Sequence, residues 1–221
     1  MAKSPNPGRV AVTPEVRILG RIAYADALIL QQETAAAVKA GDTPGTVFIL
    51  EHDPVITLGG NKPINKVLCA PPGVSLVQTD RGGGTTVHNP GQLVVYPVVS
   101  LRGLGLGVKP FVAWVLEMGR ELLSGYDVAA QCRMDPLGLW VGERKIASLG
   151  IHVSRGVATH GIAINLANDL RLFDAIVPCG LAGVAMTSAA AESGAAVGMA
   201  EAMARMADIV AAGLGRLQSQ P

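Results

Sequence analysis

The segment Gln92–Ser100 constrains this chain more than any other. Leu93, Val94, Val95, Tyr96, Val98 and Val99 leave the strand no polar side, so both of its faces need a cover. Pro97 has no N–H to give to a ladder and marks an edge or a bulge. The covering layers are legible as helices. Tyr24–Ala40 is rich in Ala and Leu, lacks proline and stops at Gly41. Val108–Ser124 places Val108, Phe111, Val112, Val115, Leu116, Gly119, Leu122 and Leu123 on one stripe. A last helix, roughly Gly198–Leu217, carries Met199, Met203, Met206, Val210, Leu214 and Leu217, a stripe that reads as core rather than as a cofactor site.

Shorter β-branched runs predict strands at Glu15–Leu19, Thr46–Glu51, Val55–Leu58 and Ser75–Thr79. Trp140–Lys145 and the Arg155-Gly156 pair read as hairpins. Strands and helices without regular β-α-β alternation predict an α+β fold on a mixed or mostly antiparallel sheet with flanking helices. The chain has 221 residues, which suits a loose tail over 1–13 and a single domain over 14–217. A hydrophobic content of 49% with a net charge of +1 excludes disorder and argues against a dedicated nucleic-acid binder. The start of the chain has no apolar signal region, and the charge-free stretches Gly82–Leu101 and Ala175–Ala191 are broken by Pro, Gly and Thr, so no membrane span is expected. Cys69, Cys132 and Cys179 form no C-x-x-C, and the four histidines have no metal-ligand spacing. A reducing, cytoplasmic location and no bound metal are the expectations.

Four segments carry chemistry. The densest runs Arg81-Gly82-Gly83-Gly84-Thr85-Thr86-Val87-His88-Asn89-Pro90-Gly91-Gln92. Successive glycines let backbone N–H groups approach a ligand, Arg81 adds a cationic fork, and Thr86 and His88 share a strand face. It matches neither a P-loop nor a dinucleotide fingerprint. It is equally a glycine-rich hairpin with a solvent-facing histidine. In Arg144–Ile151, an unbroken strand puts Lys145 on the face of Ala147, Leu149, Ile151 and Val153, at the end of an apolar stripe. There it is either a partly desolvated proton shuttle or a snorkelling lysine with its head in water. In Thr159–Leu166, Gly161 and Ala163 leave space on one face for an aliphatic chain, while His160, Ile162 and Ile164 take the other, His160 as a core histidine. In Ile176–Leu181, Pro178 and Gly180 bend the chain around Cys179, a loop suited to presenting a thiol and backbone donors. Cys69 and Cys132 are expected as small buried hydrophobes.

Together these segments resemble the lipoyl(octanoyl) transferases. The matching residues are Glu51-His52-Asp53-Pro54-Val55 with Thr57-Leu58-Gly59, the Arg81–Gln92 loop through Tyr96-Pro97, Lys145–Gly150, His160–Asn165 and Pro178-Cys179-Gly180, in family order over roughly Thr46–Ser188. Asn89 and Gly60 depart from the usual family pattern. The resemblance implies the fold of biotin and lipoate protein ligase catalytic domains and a Cys179/Lys145 dyad, with Cys179 as acyl-thioester nucleophile. It implies an acyl pocket of Arg81, Gly82, Gly83, Gly84, Thr85, Thr86, Val87, His88, Ser148, Leu149, Gly150, Gly161, Ile162 and Ala163. The expected donor is octanoyl-acyl carrier protein. The expected acceptors are lipoyl domains of 2-oxoacid dehydrogenases and the glycine-cleavage H protein, with no cofactor and no ATP. Arg81, Arg133, Arg144 and Arg155 are candidates to receive these acidic partners. Rival readings are an ATP-dependent lipoate–protein ligase, a Cys–His thioester hydrolase using His88 or His160, and a non-catalytic acyl-chain binding module.

Overall fold

The computed structural model describes residues 13–180 and 183–219, the side chain of Cys179 excepted. Of the expected tail, residues 1–12 lie outside this range, as does Leu181, while Thr13 exchanges hydrogen bonds with the Gln218 amide. Seven strands form the main sheet in the order β1-β2-β6-β10-β9-β8-β7. They are β1 (Glu15–Ile22), β2 (Gly45–His52), β6 (Gln92–Ser100), β7 (Gln131–Met134), β8 (Leu137–Val141), β9 (Arg144–Ser154) and β10 (Val157–Asn165). Only β1–β2 is parallel in this sheet. A smaller sheet, ordered β4-β3-β5, combines β3 (Val55–Leu58), β4 (Ser75–Gln78) and β5 (Thr86–His88). The Asp53-Pro54 break after β2 therefore sends the chain from one sheet into the other.

Strand β6 lies in the middle of the large sheet, between β2 and β10, as its two-sided apolar sequence demands. Pro97 is accordingly not at an edge. It pairs with Val47 of β2, and on its other side the β6–β10 ladder is interrupted between Ala158 and Ile162. Helices α2 (Val108–Ser124) and α4 (Met199–Gln218) cover one face. Phe111, Val115, Leu116, Leu122, Met203, Met206, Val210 and Leu214 pack there on Val47, Ile49, Leu93, Val95, Ile162 and Ile164. Helix α1 (Tyr24–Ala40) covers part of the other face through Ala27, Ala35 and Val38, against Phe48, Val94, Tyr96, Val98 and Ala163. The short α3 (Ala189–Ser193) follows a Ser188 cap.

Two expectations about burial fail. Cys69 and Cys132 are both exposed free thiols. Cys132 sits on β7, the edge strand of the sheet, which is exposed or half-buried along its whole length. Val108 is 51% exposed, because the first turn of α2 projects past the sheet into a cleft. Among the described residues no helix is long and apolar enough to cross a membrane.

Candidate active site

The face of the large sheet away from α2 and α4 has a floor of small residues. Gly150 of β9 pairs with Gly161 of β10, Ser148 with Ala163, and Gly138 of β8 with Ser148. Directly paired residues share a face, so Gly138, Ser148, Gly150, Gly161 and Ala163 form one patch. The glycine run lies against it. The Gly82 N–H donates to the Ile151 carbonyl at 3.1 Å, and a Cβ on Gly150 would stand 2.7 Å from the Gly82 oxygen. No side chain fits at Gly150, which is why the loop can pack directly on the sheet.

Two irregularities bring polar side chains onto this floor. Between Leu139 and Trp140 the β8–β9 register shifts: Leu139 faces Ala147, but Trp140 faces Lys145. The extra residue, Ile146, joins Ala147 in the helix-covered core. Lys145 is thereby turned to the opposite face, not the face of Ala147 that unbroken alternation predicts. It is only 1% exposed, so its head is not in bulk water either. Its Nζ lies 5.5 Å from the centre of the Trp140 ring, and its stem passes where a Gly138 side chain would be, 2.7 Å from Cε. The second irregularity is His160, whose φ of 58° is left-handed. Its N–H leaves the ladder and donates to Gln31 Oε1 of α1 at 2.7 Å. The ring consequently turns away from the side of Ile162 and Ile164 and packs edge-on against Tyr96, 6.3 Å between centroids.

Around this patch the polar groups are largely buried and interlocked. Arg81 is 6% exposed and donates to the Thr57 hydroxyl and carbonyl and to the Gly82 carbonyl. It ties the glycine loop to the small sheet and is not a surface residue for a partner. His88 is buried rather than solvent-facing; its Nδ1 is 2.7 Å from Gln92 Oε1. His52 Nδ1 donates to the Ile22 carbonyl, and the Tyr96 hydroxyl donates to His52 Nε2, both at 3.0 Å. Burial lowers the His52 pKa from 6.5 to about 4, and holds His88 and His160 below the usual range too, so all three are neutral near pH 7. His160 Nε2 is 2.7 Å from Asp80 Oδ1.

Two spaces open here and share Leu149 and Gly150 in their walls. The outer is a cleft of about 490 Å³, where Lys145 meets Ile64, Gly83, Val108, Val112 and Leu137. The inner is a chamber of about 20 Å³ under the glycine loop, lined by Arg81, Thr86, His88, Ser148, Gly161 and Ala163 together with Tyr96 and His160. Of the predicted site, Gly82 and Gly83 reach the outer cleft or its rim, and Ile162 reaches the chamber. Thr85 and Val87 reach neither. The Thr85 hydroxyl accepts from the Lys66 N–H, and Val87 belongs to the small core with Ile56, Phe173 and Ile176. Gly84 packs on Ile64. Asn89 keeps an ordinary backbone and bonds Asp169 and Asn168; Gly60 donates to the Arg81 carbonyl. Tyr96 and His160 also line the chamber. Both lie in segments that carry the resemblance but outside the acyl pocket it implies, and each is a polar residue inside an otherwise apolar strand.

The segment around Cys179 approaches from outside the sheet. Pro178–Gly180 is one 3₁₀ turn. Beyond it, Met186 bridges to Lys145: the Lys145 N–H donates to the Ala185 carbonyl, and the Thr187 N–H donates to the Lys145 carbonyl. Gly180 and Gly84 both lie against Ile64, which lines the cleft that Lys145 enters. Val177 and Pro178 border a separate groove of about 590 Å³ on the other side. Among the described residues no cluster of three or more His, Cys, Asp or Glu forms a metal site. Arg133 pairs with Glu143 and Arg144 with Glu192.

The sheet and its covering helices define the fold class, which is that of lipoate and biotin protein ligases. A bipartite lipoate protein ligase from Thermoplasma acidophilum superposes with a TM-score of 0.71 at 17% identity, covering 92% of this chain and 84% of that one. The biotin protein ligase of Aquifex aeolicus gives a TM-score of 0.58 at 11% identity, over 93% and 72%. Within that class, the chain belongs to the lipoyl protein ligase A/B catalytic domain family, whose model matches residues 23–211. It is similar to an octanoyltransferase of Desulfovibrio desulfuricans, 44% identical over 79% of this chain and 76% of that one. It is an enzyme of the transferase class.

Proposed function

We propose that this enzyme transfers an octanoyl group from octanoyl-acyl carrier protein to a lysine of a lipoyl domain, through a thioester on Cys179. The observation that carries the reading is the buried Lys145, turned by a bulge into an apolar cleft whose Ile64 wall also meets Gly180, the neighbour of Cys179. The similarity to octanoyltransferases supports the choice of acyl group.

In this reading the Cys179 thiolate attacks the thioester carbonyl, and the carrier thiol departs with a proton from Lys145. The exchange is nearly isoenergetic, so the enzyme contributes mainly position and oxyanion stabilisation. The acceptor amine, with a reference pKa of about 10.4, then loses a proton to Lys145 and attacks the acyl-enzyme. An amide forms, the Cys179 thiol is released, and no ATP is consumed. The outer cleft takes the chain, with Val108, Val112 and Leu137 as apolar wall. Residues 14–217 constitute the catalytic domain, and lipoyl domains of 2-oxoacid dehydrogenases and the glycine-cleavage H protein are the acceptors.

The test is transfer from octanoyl-acyl carrier protein to a lipoyl domain, followed by mass spectrometry with and without ATP. Octanoylation independent of ATP and lost in Cys179→Ala is expected. A strict ATP requirement, or full transfer by Cys179→Ala, would overturn the reading.

A further inference from the structure

The bulge that turns Lys145 also sets a tryptophan beside it. After the register shift, Trp140 of β8 lies directly opposite Lys145 of β9. Directly paired residues share a face, so the indole stands with the amine on the floor of small residues. Trp140 is 2% exposed, yet it joins none of the apolar clusters formed by the described residues. The groups over its ring are cations. Lys145 Nζ lies 5.5 Å from the ring centre, and the Arg133 guanidinium, from β7, lies 5.0 Å from it.

The indole is fixed independently of the lysine. Its Nε1–H donates to the Pro136 carbonyl at 3.1 Å, in the turn that joins β7 to β8. Arg133 is held in turn by the Glu143 carboxylate and the Gly142 carbonyl, in the turn that joins β8 to β9. The Lys145 stem fills the space that a side chain on Gly138 would need, and Gly138 precedes Trp140 by two residues on the same strand face. The stem therefore runs past Gly138 and the head ends by the ring. An aromatic face attracts an ammonium, more strongly where water is excluded, and Lys145 is 1% exposed.

We propose that Trp140 is a positioning residue for the reaction: its ring face holds the Lys145 ammonium at the place from which a proton reaches the departing thiol. This rests on the octanoyl-transfer reading above. The indole acts through Lys145 and takes no part in bond making. Without the ring, the four-carbon stem regains its rotamers and the proton is no longer delivered from one place. Arg133 and Glu143 brace the ring rather than receive an acidic partner.

Fluorine separates shape from attraction. Trp114 on α2, the other tryptophan, is replaced by Phe, so that fluorinated tryptophans enter at position 140 only. Each fluorine withdraws electrons from the ring and weakens its hold on a cation with little change of shape. A stepwise fall of kcat for octanoyl transfer is expected along the series, reaching about tenfold, with KM constant within about twofold. Trp140→Phe keeps a ring face and most of kcat, whereas Trp140→Leu lowers kcat roughly ten- to thirtyfold. A kcat indifferent to fluorination, or equal losses in Trp140→Phe and Trp140→Leu, overturns the proposal, because packing alone would give either. A second readout needs no turnover. The indole ring current should move the Lys145 Hε protons upfield in proton–carbon spectra of lysine-labelled enzyme, and Trp140→Leu should abolish the shift. Lys145 Hε protons at the ordinary lysine position in the wild type overturn the proposal. If the wild type transfers no octanoyl group, the transfer reading falls, and this spectrum still decides whether the indole holds the amine.

Discussion

The two faces of the seven-stranded sheet obey different rules. Under α2 and α4, Leu, Val, Ile and Met alternate regularly and pack into one apolar body. On the other face the floor is Gly, Ser and Ala, and the side chains standing on it are Lys145, His160, Tyr96 and His88. The first face exists because alternation holds. The second exists because alternation fails twice, at the bulge around Ile146 and at the left-handed His160. The regular face carries the fold; in the proposed function the irregular face carries the chemistry.

That contrast can be broken or sharpened by experiment. The largest effect is expected on the irregular face. Lys145→Met should reduce octanoyl transfer about a hundred- to ten-thousandfold while thermal unfolding stays cooperative, measured by steady-state kinetics and calorimetry. Wild-type rates from this variant would remove the lysine from the chemistry. On the regular face, Phe111→Ala should cost about 3–5 kcal/mol in urea denaturation, with the turnover of the folded fraction retained. A selective loss of activity without loss of stability there would show that the faces are not separable in this way.

A third expectation concerns acid. The folded pKa of His52 is about 4, below its ordinary 6.5, because burial opposes the charged form. The unfolded chain therefore binds the proton first as pH falls. The stability linked to His52 is complete above about pH 6.5 and is lost progressively toward pH 4, to about 3 kcal/mol in all. His88 and His160 act in the same direction. All three histidines belong to the irregular face, so acid should unfold the protein from that side. A melting temperature constant between pH 7 and 4 would contradict this. The smallest effect is expected at the exposed Arg120–Glu117 pair on α2, where Arg120→Ala should change stability by only about 0.2–0.5 kcal/mol. A larger loss would mean that the surface of α2 contributes more than its spacing implies.

The same contrast explains what could be read in advance. Helices over 24–40 and 108–124 and the strand over 92–100 have the predicted bounds, because periodic burial determines both their sequence and their structure. The methionine stripe of α4 is core, with Met203 and Met206 buried. Period-two counting, by contrast, puts Lys145 and His160 on the wrong face. A bulge and a positive φ at a histidine leave no mark in a pattern of apolar residues. Pro97 signals a real break in the ladder, but in the middle of the sheet, where the Gln31 side chain takes up the His160 N–H. Arg81 reads as a surface cation until Thr57, from the other sheet, is seen to hold it. The edge position of β7, which leaves Cys132 exposed, depends on strand order and not on local sequence. Site motifs are legible as motifs; the side of the sheet on which they act is not.

The central claim is that the irregular face works through a covalent acyl group. Intact-protein mass spectrometry after mixing the enzyme with octanoyl-acyl carrier protein, without an acceptor, tests it most directly. The account predicts one octanoyl adduct that maps to Cys179 by peptide analysis, is cleaved by hydroxylamine as a thioester and disappears when a lipoyl domain is added. An unmodified protein that still octanoylates the lipoyl domain, or an adduct that persists in Cys179→Ala, would contradict it.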